Sequence, residues 1–143
     1  MRVALAARRP EKLAALCGET QARAYACDAE RGADVEALFK SVTAEIGSPN
    51  LVVYNPSYRT RGPVAELDPQ EVLKSITVTC FGGFLVAQQA ARLMLKKGHG
   101  TILFTGASAS IKGYARSASF AMGKFGLRGL AQSMARELAP QNI

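Results

Sequence analysis

The residues best suited to chemistry lie between Gly100 and Pro140. This stretch reads G-T-I-L-F-T-G-A-S-A-S, then a short loop, then S-F-A-M-G-K-F-G-L-R-G-L-A-Q-S-M-A-R-E-L-A-P. Lys124 falls on the first turns of what reads as a long helix, and the turn before it supplies hydroxyls at Ser108 and Ser110. Tyr114 adds a phenol six residues before Phe120. A phenol near a cation gives up its proton more readily, and a positioned phenol is a competent general acid. Ser108 and Ser110 also have a plainer use, because loop hydroxyls satisfy backbone groups that lack other partners. A second chemical feature is the pair Arg8 and Arg9, directly after the first apolar run. Two guanidinium groups suit a phosphate; the alternative is two solvated arginines opening a helix.

Those side chains need elements to position them. Residues 3–7 read as a buried strand, and Pro10 opens a helix through Cys17, since proline at a first helical position loses no needed donor. Residues 22–26 form a second short strand. Helical spacing of Val35, Leu38, Phe39, Val42 and Ile46 predicts a helix over 33–46. Residues 51–54 are a third strand, and 55–63 a loop with two prolines and a glycine. Asp68 reads as an N-cap with Glu71 at capping-box spacing. The helical region that follows runs to about Lys97, with a bend expected near Gly82 and Gly83. Residues 101–105 are the fourth strand, 106–117 a small-residue loop and 119–138 the last helix. Short apolar strands alternating with helices predict an α/β fold, a parallel sheet covered on both faces.

Composition narrows the function. The chain has 143 residues, 48% of them hydrophobic, enough for a core of one domain. No run of 18 uncharged apolar residues occurs, so no membrane partner is expected. Three widely spaced cysteines, Cys17, Cys27 and Cys80, show neither metal spacing nor a disulfide framework and suit reduced thiols in the cytoplasm. His99 stands alone in K-K-G-H-G, a solvated turn. The net charge of +7 is scattered rather than blocked, and no aromatics interleave with it. A nucleic-acid partner is therefore not expected, while an anionic cofactor is compatible.

Together, the stretch 100–140 and the element order resemble the short-chain dehydrogenase/reductase family. That family carries Tyr-x-x-x-Lys at the head of this helix and a Ser thirteen residues before the Tyr. Here Lys124 is kept, Phe120 stands at the Tyr, Ala107 at the Ser, and Thr79 at the Asn of the preceding helix. L-V-V-Y-N-P-S resembles the strand ending Asn-Asn-Ala-Gly; Asn55 fits the second Asn, whereas Tyr54, Pro56 and Ser57 depart from it. The resemblance implies a Rossmann-like doubly wound parallel sheet and NADP-dependent hydride transfer between carbonyl and alcohol. It implies cofactor contacts at Arg8, Arg9, Asp28, Ala29, Asn55 and Lys124. Arginines rather than an acid after the first strand favour a ribose 2′-phosphate, hence NADP. Lys124 with Ser108 or Tyr114 remains for catalysis.

The resemblance runs from the second family strand to the helix after the fifth, which implies one partial domain over 1–143, without the first βα unit and the C-terminal strands. The glycine-rich pyrophosphate turn is not among these residues, so weak dinucleotide binding is expected of them alone. The strands at 3–7 and 51–54 either pair directly or face the empty slot of the central first strand. Packing of the two long helices implies a homodimer or homotetramer. A second reading stays open: a catalytically silent nucleotide-binding or interaction protein that kept the fold and the lysine.

Overall fold

Four short strands, all in parallel pairs, alternate with helices along the chain. The computed structural model describes residues 1–143. Strand β1 (Ala4–Ala7) pairs with β2 (Arg23–Ala26), and β3 (Leu51–Tyr54) pairs with β4 (Thr101–Phe104). The helices are α1 (Ala14–Thr20), α2 (Gly32–Glu45), α3 (Pro69–Ile76), α4 (Gly82–Lys97) and α5 (Ala118–Leu138). Parallel partners need a crossover between them, which α1 supplies for the first pair and the α3–α4 region for the second. β1 and β3 are not hydrogen-bonded to each other, so direct pairing, one of the two expected outcomes, does not occur.

The core joins the two pairs. Cys27, Val35, Phe39, Tyr54, Val86, Ala90, Met94 and Leu127 form one buried cluster. Cys27 follows β2 and Tyr54 ends β3, so α2, α4 and α5 supply the apolar contacts between strand pairs that share no hydrogen bonds. Burial pushes the Cys27 thiol up to about 11, helped by the Asp34 and Asp28 charges, which makes it a packing group rather than a nucleophile.

Three local expectations need correction. The helix expected from Pro10 through Cys17 begins as a 3-10 turn, Pro10–Leu13, and continues as α1 to Thr20, where Gln21 leaves the helix at φ 57°. Asp68 does cap α3, accepting from the Gln70 N–H at 2.8 Å, but Glu71 does not complete a capping box. Its carboxylate instead accepts from the Tyr58 hydroxyl at 2.5 Å, a charge-assisted bond. Near Gly82 and Gly83, where a bend is expected, the helix widens into a π-turn, Thr77–Phe81, immediately before them.

The glycines set the approach and the turn accommodates it. A Cβ on Gly82 would sit 2.5 Å from the Tyr54 hydroxyl and 2.8 Å from the Ala29 carbonyl; one on Gly83 would meet Leu127 at 2.6 Å. The widened turn carries the Val78 carbonyl, which accepts the buried Tyr54 hydroxyl. By length and mean hydropathy (1.2) the combined stretch Pro69–Lys97 is long and apolar enough to cross a membrane. Yet 44% of its apolar window is buried in the protein, as in a core helix, with Val86, Ala87, Ala90 and Met94 facing inward.

Candidate active site

Residues that follow the strands collect at their carboxyl ends. Ala29, beyond β2, and Tyr54, ending β3, both pack on Gly82, so the ends of the two strand pairs meet there. Lys124 reaches the end of β4: its Nζ donates to the Thr105 carbonyl at 2.6 Å, and the residue is 3% exposed. Desolvation holds this ammonium below the ordinary lysine range.

Phe120, one turn earlier on α5, lies between two cations' reach. Its ring centroid is 5.8 Å from Lys124 Nζ and 4.9 Å from the Arg59 guanidinium carbon. It lines a cleft of about 680 Å³ with Arg59, Arg61, Ser108, Tyr114 and Arg116. Lys124 faces a separate space of about 210 Å³ with Ala107, Ser110 and Arg128. The structure thus brings Ser108 and Tyr114 together and sets Lys124 on the far side of Phe120. Tyr114 is exposed. The Ser108 hydroxyl chiefly, and Lys112 after it, draw its phenol below the ordinary range, against a smaller upward pull from burial. The Lys112 ammonium stands 5.1 Å from the ring centroid. Ser110 does the plainer work, its hydroxyl accepting from the Ala107 N–H at 3.1 Å.

The hydroxyls of α3, the π-turn and α5 hold the loop after β3. Ser75 donates to the Tyr58 carbonyl at 2.8 Å, Thr79 accepts from the Tyr58 N–H at 3.1 Å, and Ser119 donates to the Thr60 carbonyl at 3.0 Å. All three residues are fully buried. Thr79 is therefore occupied with main chain. Close packing of α5 makes this possible, because a Cβ on Gly123 would sit 2.8 Å from Thr79 Cβ.

The other expected cofactor residues follow the carboxyl ends of β1, β2 and β3. Arg8 and Arg9 are exposed and in no ion pair. Asp28 accepts from the Glu30 N–H with one oxygen at 3.2 Å, and the other makes no hydrogen bond within the chain. Asn55 is exposed beside Pro56. The sequence reading missed the convergence of Arg59, Arg61 and Arg116; the first two were visible as a local pair, but Arg116 joins them only through the fold. Among the described residues no group of His, Cys, Asp and Glu is arranged to hold a metal.

Parallel strands, covering helices and polar residues gathered at the strands' carboxyl ends define a Rossmann-like α/β protein. The family model described as short chain dehydrogenase matches residues 1–143, and the chain belongs to that family. A short-chain dehydrogenase structure from Rhodopseudomonas palustris superposes with a TM-score of 0.94 at 37% identity, covering 100% of this chain and 69% of that one. A gluconate 5-dehydrogenase from Burkholderia cenocepacia J2315, in complex with NADP and tartrate, gives a TM-score of 0.92 at 27% identity, over 98% of this chain and 57% of that one. Among curated proteins, a 3alpha-hydroxysteroid dehydrogenase of Mediterraneibacter gnavus is 32% identical over 78% of this chain and 44% of its own length. A D-threitol dehydrogenase of Mycolicibacterium smegmatis is 29% identical over 93% of this chain and 52% of its own. The chain spans about half the length of these curated relatives.

Proposed function

We propose that the protein is an NADP-dependent oxidoreductase acting between carbonyl and alcohol, with an altered proton-transfer site. The carrying observation is Lys124. Burying an ammonium against a single carbonyl is costly, and a desolvated lysine at the strand ends is a functional group more often than a packing one. When bound, NADPH would supply the hydride for carbonyl reduction and NADP+ would accept it in the reverse direction. The residues present suit it: Arg8 and Arg9 are free cations for a ribose phosphate, Asp28 keeps one carboxylate oxygen uncommitted, and Asn55 and Lys124 offer donors along the rim. Ala29 contributes main chain beside Asp28. Residues 1–143 are read as part of one dinucleotide-binding domain. The complex of the Burkholderia relative with NADP supports the cofactor choice.

Proton transfer falls to Tyr114, which shares its cleft with Ser108. Phe120 has no titratable proton, Ala107 no hydroxyl, and Thr79 is spent on Tyr58. Those same three residues favour the second reading, a silent protein that kept the fold. We read the exposed, stacked Phe81 and Phe84, with Met122 and Phe125, as the face of a homodimer or homotetramer. Three free cysteines suit a cytoplasmic protein.

The test is hydride transfer from 4-deuterated NADPH to a panel of small carbonyls, with the protein at its natural length. Deuterium in the alcohol product, and a preference for NADPH over NADH that Arg8→Gln with Arg9→Gln removes, are expected. No transfer by the parent, together with transfer gained on Thr79→Asn, Ala107→Ser and Phe120→Tyr combined, would establish the silent reading instead.

A further inference from the structure

The 680 Å³ cleft is lined by three guanidinium groups and no carboxylate. Arg59 and Arg61 belong to the loop after β3, and Arg116 to the loop before α5, so the tertiary fold brings them together. None of the three is in an ion pair; the chain's salt bridges are Arg23–Glu45 and Arg31–Asp34. Gathering like charges in a concave site opposes folding and focuses a positive potential there.

One guanidinium is held by side-chain contacts, and the Arg116 backbone is fixed beside it. Arg59 Nη2 donates to Ser117 Oγ at 2.8 Å, and Ser117 is 4% exposed. The same guanidinium lies 4.9 Å from the Phe120 centroid, a cation–π distance. The ring at position 120, which cannot pass a proton, instead serves as a platform for a cation. Arg116 keeps a φ of 59°, a conformation uncommon outside glycine. Its carbonyl accepts from the Gly62 N–H at 3.3 Å, which ties the two loops across the cleft. A guanidinium presents a planar fork of donors that matches carboxylate and phosphate oxygens.

We propose that this cleft binds an oxyanion group of the substrate, a carboxylate or a phosphate, with Arg59, Arg61 and Arg116 as its recognising residues. Calling the bound anion a substrate rests on the oxidoreductase reading above; the anion site itself does not. The site then selects among carbonyl compounds by their charged end, while Tyr114 and Ser108 in the same cleft face the reacting end.

Isothermal titration with succinate and with inorganic phosphate, against succinamide as the uncharged isostere, reads the site without cofactor or turnover. Saturable binding of an anion and none of succinamide are expected, with affinity falling about tenfold for Arg59→Gln and for Arg116→Gln. Stronger binding of succinate assigns a carboxylate, and stronger binding of phosphate assigns a phosphate. Arg92→Gln, an exposed charge on α4, leaves the affinity unchanged. Amide shifts of the unsubstituted chain locate the anion whether or not a variant folds. Shifts centred on residues 59–62 and 108–117 support the assignment. Shifts centred on Arg8, Arg9 or Lys124, binding of succinamide as tight as succinate, or no binding of either anion would overturn it. Anion binding at the cleft with no hydride transfer by the natural-length protein would sink the oxidoreductase reading and leave the cleft assignment standing.

Discussion

The β1–β2 half and the β3–β4 half of this molecule are built differently. In the first half, β1 and α1 bury no residue completely, and Arg8 and Arg9 stand free in solvent. In the second, Ser75, Thr79, Ser119 and Lys124 are buried polar groups whose every reach ends on a named backbone atom. The contrast separates tolerance from precision. On the proposed reading, Arg8 and Arg9 would meet the cofactor as exposed charges and need little internal order, whereas a region that shapes a cleft needs its loops fixed from beneath.

Substitutions can break that contrast. The largest effect is expected at Tyr114. Its change to Phe should lower carbonyl turnover by about 10²–10⁴-fold while leaving the unfolding midpoint near that of the parent. The parent's reductive rate should fall as pH rises through the lowered Tyr114 range, because the acid must be protonated, and Tyr114→Phe should lose that limb of the pH profile. Next comes Gly82→Ala. The new Cβ has backbone at Ala29 in its way, 2.8 Å off, so urea unfolding should show a loss of about 1–3 kcal/mol.

Lys124 sharpens the comparison through pH. Its folded pKa lies below the unfolded value of 10.5, so in that window the unfolded chain binds more protons. Stability therefore rises with pH from the lowered folded value up to about 10.5, and below the window the burial penalty is fully present. Lys124→Met should flatten this rise in denaturation series across alkaline pH. The smallest change is expected at Leu16 of α1, 44% exposed. Leu16→Ala should shift stability within about 0.5 kcal/mol, and a cost several times larger would show that the first half is as tightly specified as the second.

Much of this was legible in the sequence, and the exceptions share a cause. L-V-V-Y and T-I-L-F are short apolar runs rich in β-branched and aromatic residues, and both are strands within a residue of their expected bounds. The helix over Gly32–Glu45 followed from periodicity, and the one over Ala118–Leu138 lies within a residue of the stretch expected for it. The π-turn did not, because it is set by Tyr54 seeking the Val78 carbonyl across the core rather than by local propensity. Glu71 left its capping role for the same kind of reason, a phenol supplied by Tyr58 from another loop. Of the candidate site, Ser108 and Tyr114 could be named from the loop they share. The arginine cleft could not, since Arg116 meets Arg59 and Arg61 only after α5 has docked.

Arg116 carries a consequence of its own. A glycine would adopt its φ of 59° without strain, yet the position holds a long cation. Arg116→Gly should ease the backbone while emptying one corner of the cleft of charge, so thermal tolerance and anion capture should move in opposite directions. If Arg116→Gly raised the melting temperature and left succinate binding intact, the arginine would be doing nothing in the cleft that a glycine could not.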